Sequence, residues 1–259
     1  VYSISVLLAV GFLSIEMGLW GYFKQDAIRL GKTLAPLCKP AVILSLYQMM
    51  KDTDELLTAH NVPYLIFSGT LLGAVRHEGM IPWDDDIDIA LPSDAQAAFI
   101  ALIPKFKQLG YYVLPAIFGY RIVKPQHPGM VWQLMGKTYF WEMTCIDVFT
   151  LSRVKNKSVG YLPLWPNDYF YTDEIYPLKR YRFGELWILG PQQAVPYLSR
   201  AYGAEWNRVA YRQTSHAVHP DSYERVALEP EHRQPAQPTG PLEDRTRGLL
   251  TAAAIEIRP

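Results

Sequence analysis

The stretch "IPWDDDIDIAL", Ile81 to Leu91, constrains this 259-residue chain more than any other. Asp84, Asp85, Asp86 and Asp88 crowd together and run straight into apolar residues. Asp is depleted from strands, and like charges packed together repel. A buried strand can begin this way only if something offsets the charge. Side chains of a strand alternate faces, so Asp86 and Asp88 share one face while Ile87 and Ile89 take the other, in the core. The two aspartate Cα atoms then lie roughly 6.5–7 Å apart, close enough for their carboxylates to converge on one cation or a pair. Asp84 shares the face if the strand starts early, and Asp85 is expected to face away. A set of oxygen-only ligands favours Mg²⁺ or Mn²⁺ over zinc.

Three other readings compete. An EF-hand loop fails, because Ile89 stands where Gly is needed and Ala95 where Glu is needed. A solvated acidic turn accounts for Asp84 and Asp85, but not for charge alternating with Ile into "IAL". The Asp-x-Asp of a nucleotide-sugar glycosyltransferase stays open, since it also holds a metal on diphosphate oxygens.

The residues just upstream narrow the choice. "VPYLIFSG", Val62 to Gly69, reads as a buried strand, and "TLLGAVRHEG" as a short helix starting at Thr70. A strand, then Ser68-Gly69-Thr70, then a helix offers backbone N–H groups where phosphate binds well. Gly69 permits close backbone approach. A phosphate cradle followed by Asp-x-Asp on a neighbouring strand is the layout of a nucleotidyltransferase-type site. Arg76 and Arg121 are further candidates for the substrate, as is Lys124, although each reads equally as a solvated charge or a structural ion pair. His77 reads as structural. Trp83 is expected to pack under the acidic turn. His216 and His219 have metal-like spacing but no third ligand nearby.

"GTLLGAVRHEGMIPWDDDIDIAL", Gly69 to Leu91, resembles the signature of the LicD family, which includes bacterial phosphocholine transferases and the animal proteins fukutin and fukutin-related protein. "CIDVF", Cys145 to Phe149, is similar to a later strand of the nucleotidyltransferase fold that supplies a third carboxylate, here Asp147. "IYPLKRYRFGELWILGP" and "YLSRAYGAEW" resemble the family's C-terminal end. The resemblance implies an α/β (α+β) fold, a nucleotidyltransferase-like mixed sheet flanked by helices. It implies transfer of a phosphorylated alcohol, of the phosphocholine or ribitol-phosphate type, from a CDP-alcohol donor to a glycan hydroxyl. Asp86, Asp88 and Asp147 are then catalytic, and with Asp84 they are the metal ligands. Ser68, Gly69, Thr70, Arg76 and Arg121 face the substrate. No cysteine-rich insertion occurs, so structural zinc is not expected. A non-catalytic glycan-binding adaptor is the contrasting class, and the intact acids argue against it.

Lysine plus arginine equals aspartate plus glutamate, 25 each. A nucleic-acid binder usually carries a basic excess, so none is expected as partner. The 17 Tyr and 7 Trp suit a nucleotide- or sugar-facing cleft or simply fill a core. Cys38 and Cys145 are too few for a disulfide framework, and Cys145 reads as a buried small hydrophobe. "ISVLLAVGFLSIEMGLWGYF", Ile4 to Phe23, reads equally as a membrane anchor or a core helix, with Glu16 interrupting it. Anchoring would place the domain in the Golgi or ER lumen of a eukaryote, or at the cytoplasmic face of a bacterial membrane. Three regions follow: residues 1–39 as hydrophobic segment and linker, 40–220 as the catalytic domain, and 221–259 as a disordered tail rich in Pro and charge. Further helices are expected over Pro40–His60, Ser93–Gly110 and Gln192–Gly203, with a hairpin or bent strand around Gly184.

Overall fold

The computed structural model describes residues 37–125, 131–134, 137–140, 143–160, 166–212 and 224–250. The expected anchor, the His216/His219 pair and the last nine residues lie outside them. Among the described residues, no helix is long and apolar enough to cross a membrane. The described residues form two compact units, one drawn from 38–206 and 230–250, the other from residue 37 and 207–229. In the smaller unit, Val209–Arg212 pairs antiparallel with Glu224–Ala227.

The larger unit is a mixed sheet flanked by helices. Helix α1, Pro40–Ala59, begins with Pro in its first turn and packs against the sheet through Leu46, Tyr47, Met49, Met50, Leu56 and Leu57, all fully buried. Strand β1 is short, Leu65–Ile66, and helix α2 follows at Ser68–Arg76. Strand β2, Asp86–Pro92, is the acidic strand. Helices α3, Gln96–Ala101, and α4, Ile103–Gln108, replace the single helix expected over Ser93–Gly110. Pro104 lacks the N–H that would continue α3, so it opens a new helix instead. Strands β3, Tyr112–Ala116, β4, Gly119–Pro125, and β7, Met143–Val154, complete the main sheet, with β5, Val131–Leu134, and β6, Lys137–Phe140, paired as a hairpin of their own. The order is β1-β2-β7-β4-β3, antiparallel except between β2 and β7. Strands β8, Lys157–Val159, and β9, Tyr169–Tyr171, extend it from β7. After a single-turn helix α5, Thr172–Ile175, the hairpin β10–β11, Lys179–Phe183 and Leu186–Gly190, leads to helix α6, Ala194–Tyr202. Gly184 turns the hairpin at φ +62°, where a Cβ would meet the Tyr47 ring at 2.7 Å, so glycine is required twice over.

The aromatic residues largely build the core. Tyr47, Tyr64, Tyr111 and Tyr197 are fully buried, and each hydroxyl has a partner: Ala236 O, Asp54, Asp52 and Asp168 respectively. A buried tyrosine needs such a partner because its O–H otherwise loses water without replacement.

The stretch expected to be a disordered tail is, over 230–250, part of the core unit. Gln48 is clasped by the Glu243 backbone at both ends, Nε2 to O at 3.0 Å and Oε1 from N at 2.7 Å. Arg245 reaches the fully buried Asp52 at 3.2 Å and the Tyr111 hydroxyl at 2.8 Å. Composition misled here because the segment contributes few apolar residues. It is held by answering a buried charge instead. Arg245→Ala should therefore cost about 3 kcal/mol, the lower end for breaking a buried pair, because Gln48 and Tyr111 still hydrogen-bond the Asp52 carboxylate. Urea unfolding measures it, and an unchanged midpoint would mean that the segment does not hold the core.

Candidate active site

Register assembles the site. In the parallel β2–β7 ladder Asp88 sits opposite Asp147, and in the antiparallel β7–β4 ladder Asp147 sits opposite Arg121. Directly paired residues share a face, so Asp88, Asp147 and Arg121 form a row across three strands. Asp86, two residues before Asp88, adds a fourth group to that face, while Ile87 and Ile89 are fully buried on the other. The expected alternation is thus present.

Arg121 grips Asp147 with both ends of its guanidinium, Nε to Oδ1 at 2.5 Å and Nη2 to Oδ2 at 2.7 Å. Expected to face substrate, it is placed as the ion-pair partner of a carboxylate that is 6% exposed. Lys124, an odd number of residues along the strand, faces the other way, toward Arg245 and Asp52.

The Ser68-Gly69-Thr70 turn is tied to Asp88 at several points. Gly69 N–H donates to Asp88 Oδ2 at 3.1 Å, Asp88 N–H donates to Thr70 Oγ1 at 2.7 Å, and Phe67 N–H donates to Asp88 O at 3.1 Å. Asp88 thereby caps the N-terminus of α2, where negative charge is favoured. Ser68 N–H donates to the Tyr197 hydroxyl at 3.2 Å, and Ser68 Oγ lies 3.1 Å from that of Tyr202. So N–H groups expected to face phosphate are held by the protein itself. The left-handed backbone falls on Ser68, φ +42°, not on Gly69. At Gly69 the close approach expected of it is present: a Cβ there would lie 3.0 Å from Asp84 Oδ2 and 3.3 Å from Asp88 Oδ2.

The acidic turn closes the arrangement. Carboxylate oxygens of Asp84, Asp85 and Asp86 lie within 4.8 Å of one another. Asp85 was expected to face away, but it belongs to no strand. Because β2 begins only at Asp86, alternation does not govern it. A narrow cleft between this turn and α2 is lined by Gly69, Thr70, Asp84 and Asp86. Trp83 packs edge-on to His77, with ring centroids 5.8 Å apart. Cys38 lies beside the turn, and burial and then Asp85 push its thiol up to about 12. Cys145 is buried in the strand opposite Asp86.

Burial, and then the neighbouring acids, push both Asp86 and Asp88 well above the usual carboxylate range: Asp84 most for Asp86, Asp147 most for Asp88. Crowded buried carboxylates are a donor set suited to a hard divalent cation. Each oxygen keeps a second lone pair beside its present hydrogen bond. Among the described residues, Asp84, Asp85 and Asp86 are the acids whose oxygens converge closely enough for such an ion, with Asp88 and Asp147 further along the same face.

Asp168 is an unforeseen member. It accepts a hydrogen bond from the Tyr197 hydroxyl, and its charge is felt by Asp88. A lone acid ahead of Tyr-Phe-Tyr carries no motif, so only tertiary structure brings it here. Burial pushes it up to about 6, against the Tyr197 hydrogen bond. Folding therefore favours its protonated form, and stability is lost as pH rises from about 4 through about 6. Asp168→Asn, which keeps an acceptor for Tyr197, should remove this loss. The variant should gain on the parent by roughly 2–3 kcal/mol between pH 4 and pH 7 in denaturant titrations. A gap that does not change with pH would remove Asp168 from the buried acids.

The profile described as LicD/FKTN/FKRP, nucleotidyltransferase domain, matches residues 61–193, which include Asp84, Asp86, Asp88, Arg121, Asp147 and Asp168. The chain is 41% identical over 216 residues to the uncharacterized protein RT0683 of Rickettsia typhi, covering 81% of this chain and 63% of that protein. It is 39% identical over 224 residues to the uncharacterized protein RP689 of Rickettsia prowazekii, covering 83% and 77%. A stretch of 41 residues is 46% identical to the lipopolysaccharide cholinephosphotransferase LicD of Haemophilus influenzae, 16% of either chain. The chain thus spans less than two thirds of RT0683. It belongs to the LicD family.

Proposed function

We propose that the chain moves a phosphorylated alcohol from a CDP-activated donor to a glycan hydroxyl, with Mg²⁺ or Mn²⁺ held by Asp84, Asp86, Asp88 and Asp147. The observation that carries this reading is the buried carboxylate row, Asp86, Asp88 and Asp147, beside the N-terminus of α2. A divalent ion, when bound, supplies the positive charge that neutralises donor phosphates and a developing alkoxide.

The chain's own groups divide the remaining work. Thr70, in the cleft wall, offers a hydroxyl to the donor phosphates. Arg121 orients Asp147, since a guanidinium fork fixes a carboxylate plane in a way a lysine cannot. The acceptor hydroxyl loses its proton to a carboxylate of the cluster, whose proton affinity burial has raised. The oxygen–phosphorus bond to the acceptor forms as the bond to the CMP oxygen breaks, and CMP leaves with that electron pair.

The test is nucleotide release with a panel of CDP-alcohols and nucleotide sugars, a divalent cation and mixed glycan acceptors. CMP should appear from a CDP-alcohol. Asp88→Asn, which keeps an acceptor for Gly69 N–H, should lower the rate at least about a hundredfold. The same variant should be more stable than the parent without divalent cations, on the order of 1 kcal/mol, because like-charge repulsion is relieved. Release of a nucleoside diphosphate from a nucleotide sugar would overturn the reading in favour of glycosyl transfer.

A further inference from the structure

Ser68, the first residue of α2, holds its backbone in the left-handed region at φ +42°. A serine there is strained, and such a conformation persists only where its surroundings over-determine it. Two tyrosines of α6 supply that determination. The Tyr197 hydroxyl accepts the Ser68 N–H at 3.2 Å, and the Tyr202 hydroxyl lies 3.1 Å from Ser68 Oγ. Backbone and side chain of one residue are thus both held from the same helix.

Tyr197 is itself fixed in ring and hydroxyl. The ring is fully buried, stacked on Phe170 with centroids 4.2 Å apart and 18° between the planes, and tilted against Phe67 at 5.6 Å. The hydroxyl donates to Asp168. A phenol has a single proton to give. With that proton committed to Asp168, the oxygen is left to accept from Ser68. Asp168 therefore sets the direction of the hydrogen bond that reaches the turn.

The next peptide carries the consequence. Gly69 N–H, one residue after the held Ser68, donates to Asp88 Oδ2 at 3.1 Å. The peptide is planar, so the Ser68 dihedrals set the aim of that N–H. We propose that Tyr197, directed by Asp168, is a positioning residue for Asp88: it holds Ser68 in the conformation that points the Gly69 N–H at the carboxylate. The connection runs from Asp168 through Tyr197, Ser68 and Gly69 to Asp88. Neither Asp168 nor Tyr197 lines the cleft beside Asp84 and Asp86, so both act through the turn. Carboxylates that ligate a cation depend on such hydrogen bonds for their orientation, and losing one lowers affinity about 10- to 100-fold. The consequence for cation binding rests on the metal site proposed above, whereas the hydrogen-bonded connection does not.

The test uses the full chain with isotopically labelled glycine and reads the Gly69 amide first. Tyr197→Phe keeps the ring and removes only the oxygen. In metal-free buffer its Gly69 amide should exchange with solvent at least about tenfold faster than the parent's. Mn²⁺, titrated calorimetrically, should bind about tenfold more weakly. Asp168→Asn and Asp168→Ala remove the same charge, but only asparagine keeps an acceptor for Tyr197. The asparagine variant should match the parent in Gly69 exchange within about twofold, and the alanine variant should follow Tyr197→Phe. This pair decides the matter even if Tyr197→Phe does not fold. Gly69 exchange unchanged in Tyr197→Phe, or quickened equally in both Asp168 variants, overturns the proposal. So does faster exchange with Mn²⁺ affinity intact, because Asp88 would then not follow the turn. A parent that binds no Mn²⁺ fells the metal reading alone and leaves the connection standing on the amide result.

Discussion

Negative charge gathered on one buried strand face is the constraint around which the larger unit is arranged. Isolated buried carboxylates are among the costliest groups a fold can hold. Here two of them are answered by different elements. The Arg121 guanidinium answers Asp147 across the β4–β7 ladder, and the Gly69 amide answers Asp88 from the start of α2. The left-handed turn at Ser68 and the absence of a side chain at Gly69 follow from that geometry. So does the parallel pairing of β2 with β7, which sets Asp88 beside Asp147.

The same solution recurs away from the site. Asp52, fully buried, is held by Arg245, Tyr111 and Gln48. Glu174 is held by Arg200 at 2.6 Å, with the guanidinium also lying over the Tyr169 ring, 4.3 Å from its centroid. The abundance of tyrosine follows: an aromatic body fills the core while its hydroxyl reaches a buried polar partner. The core is thus stapled by polar contacts between distant parts of the chain, and residues 230–250 belong to it through charge more than through apolar area.

What is costly for folding is useful for chemistry. The row of acids lies within the matched LicD nucleotidyltransferase domain.

Local sequence determined the acidic strand and its neighbours. Period-two alternation in "DIDIAL" assigned faces correctly, because in a strand the face of a residue is set by the chain itself. The hairpin at Gly184 and the helix ending at Gly203 were legible for the same reason, since turn and cap chemistry is local. Asp85 was misread because a turn residue has no period. The long helix after Ser93 divided because Pro104 cannot continue it. What only tertiary structure decided was partnership: Arg121 as clamp on Asp147, Asp168 beside the site, and the final segment as a wall of the larger unit. Each joins residues far apart in the chain, with Asp52 and Arg245 separated by 193 positions. Short-range pattern carries no record of which buried charge a distant arginine will answer.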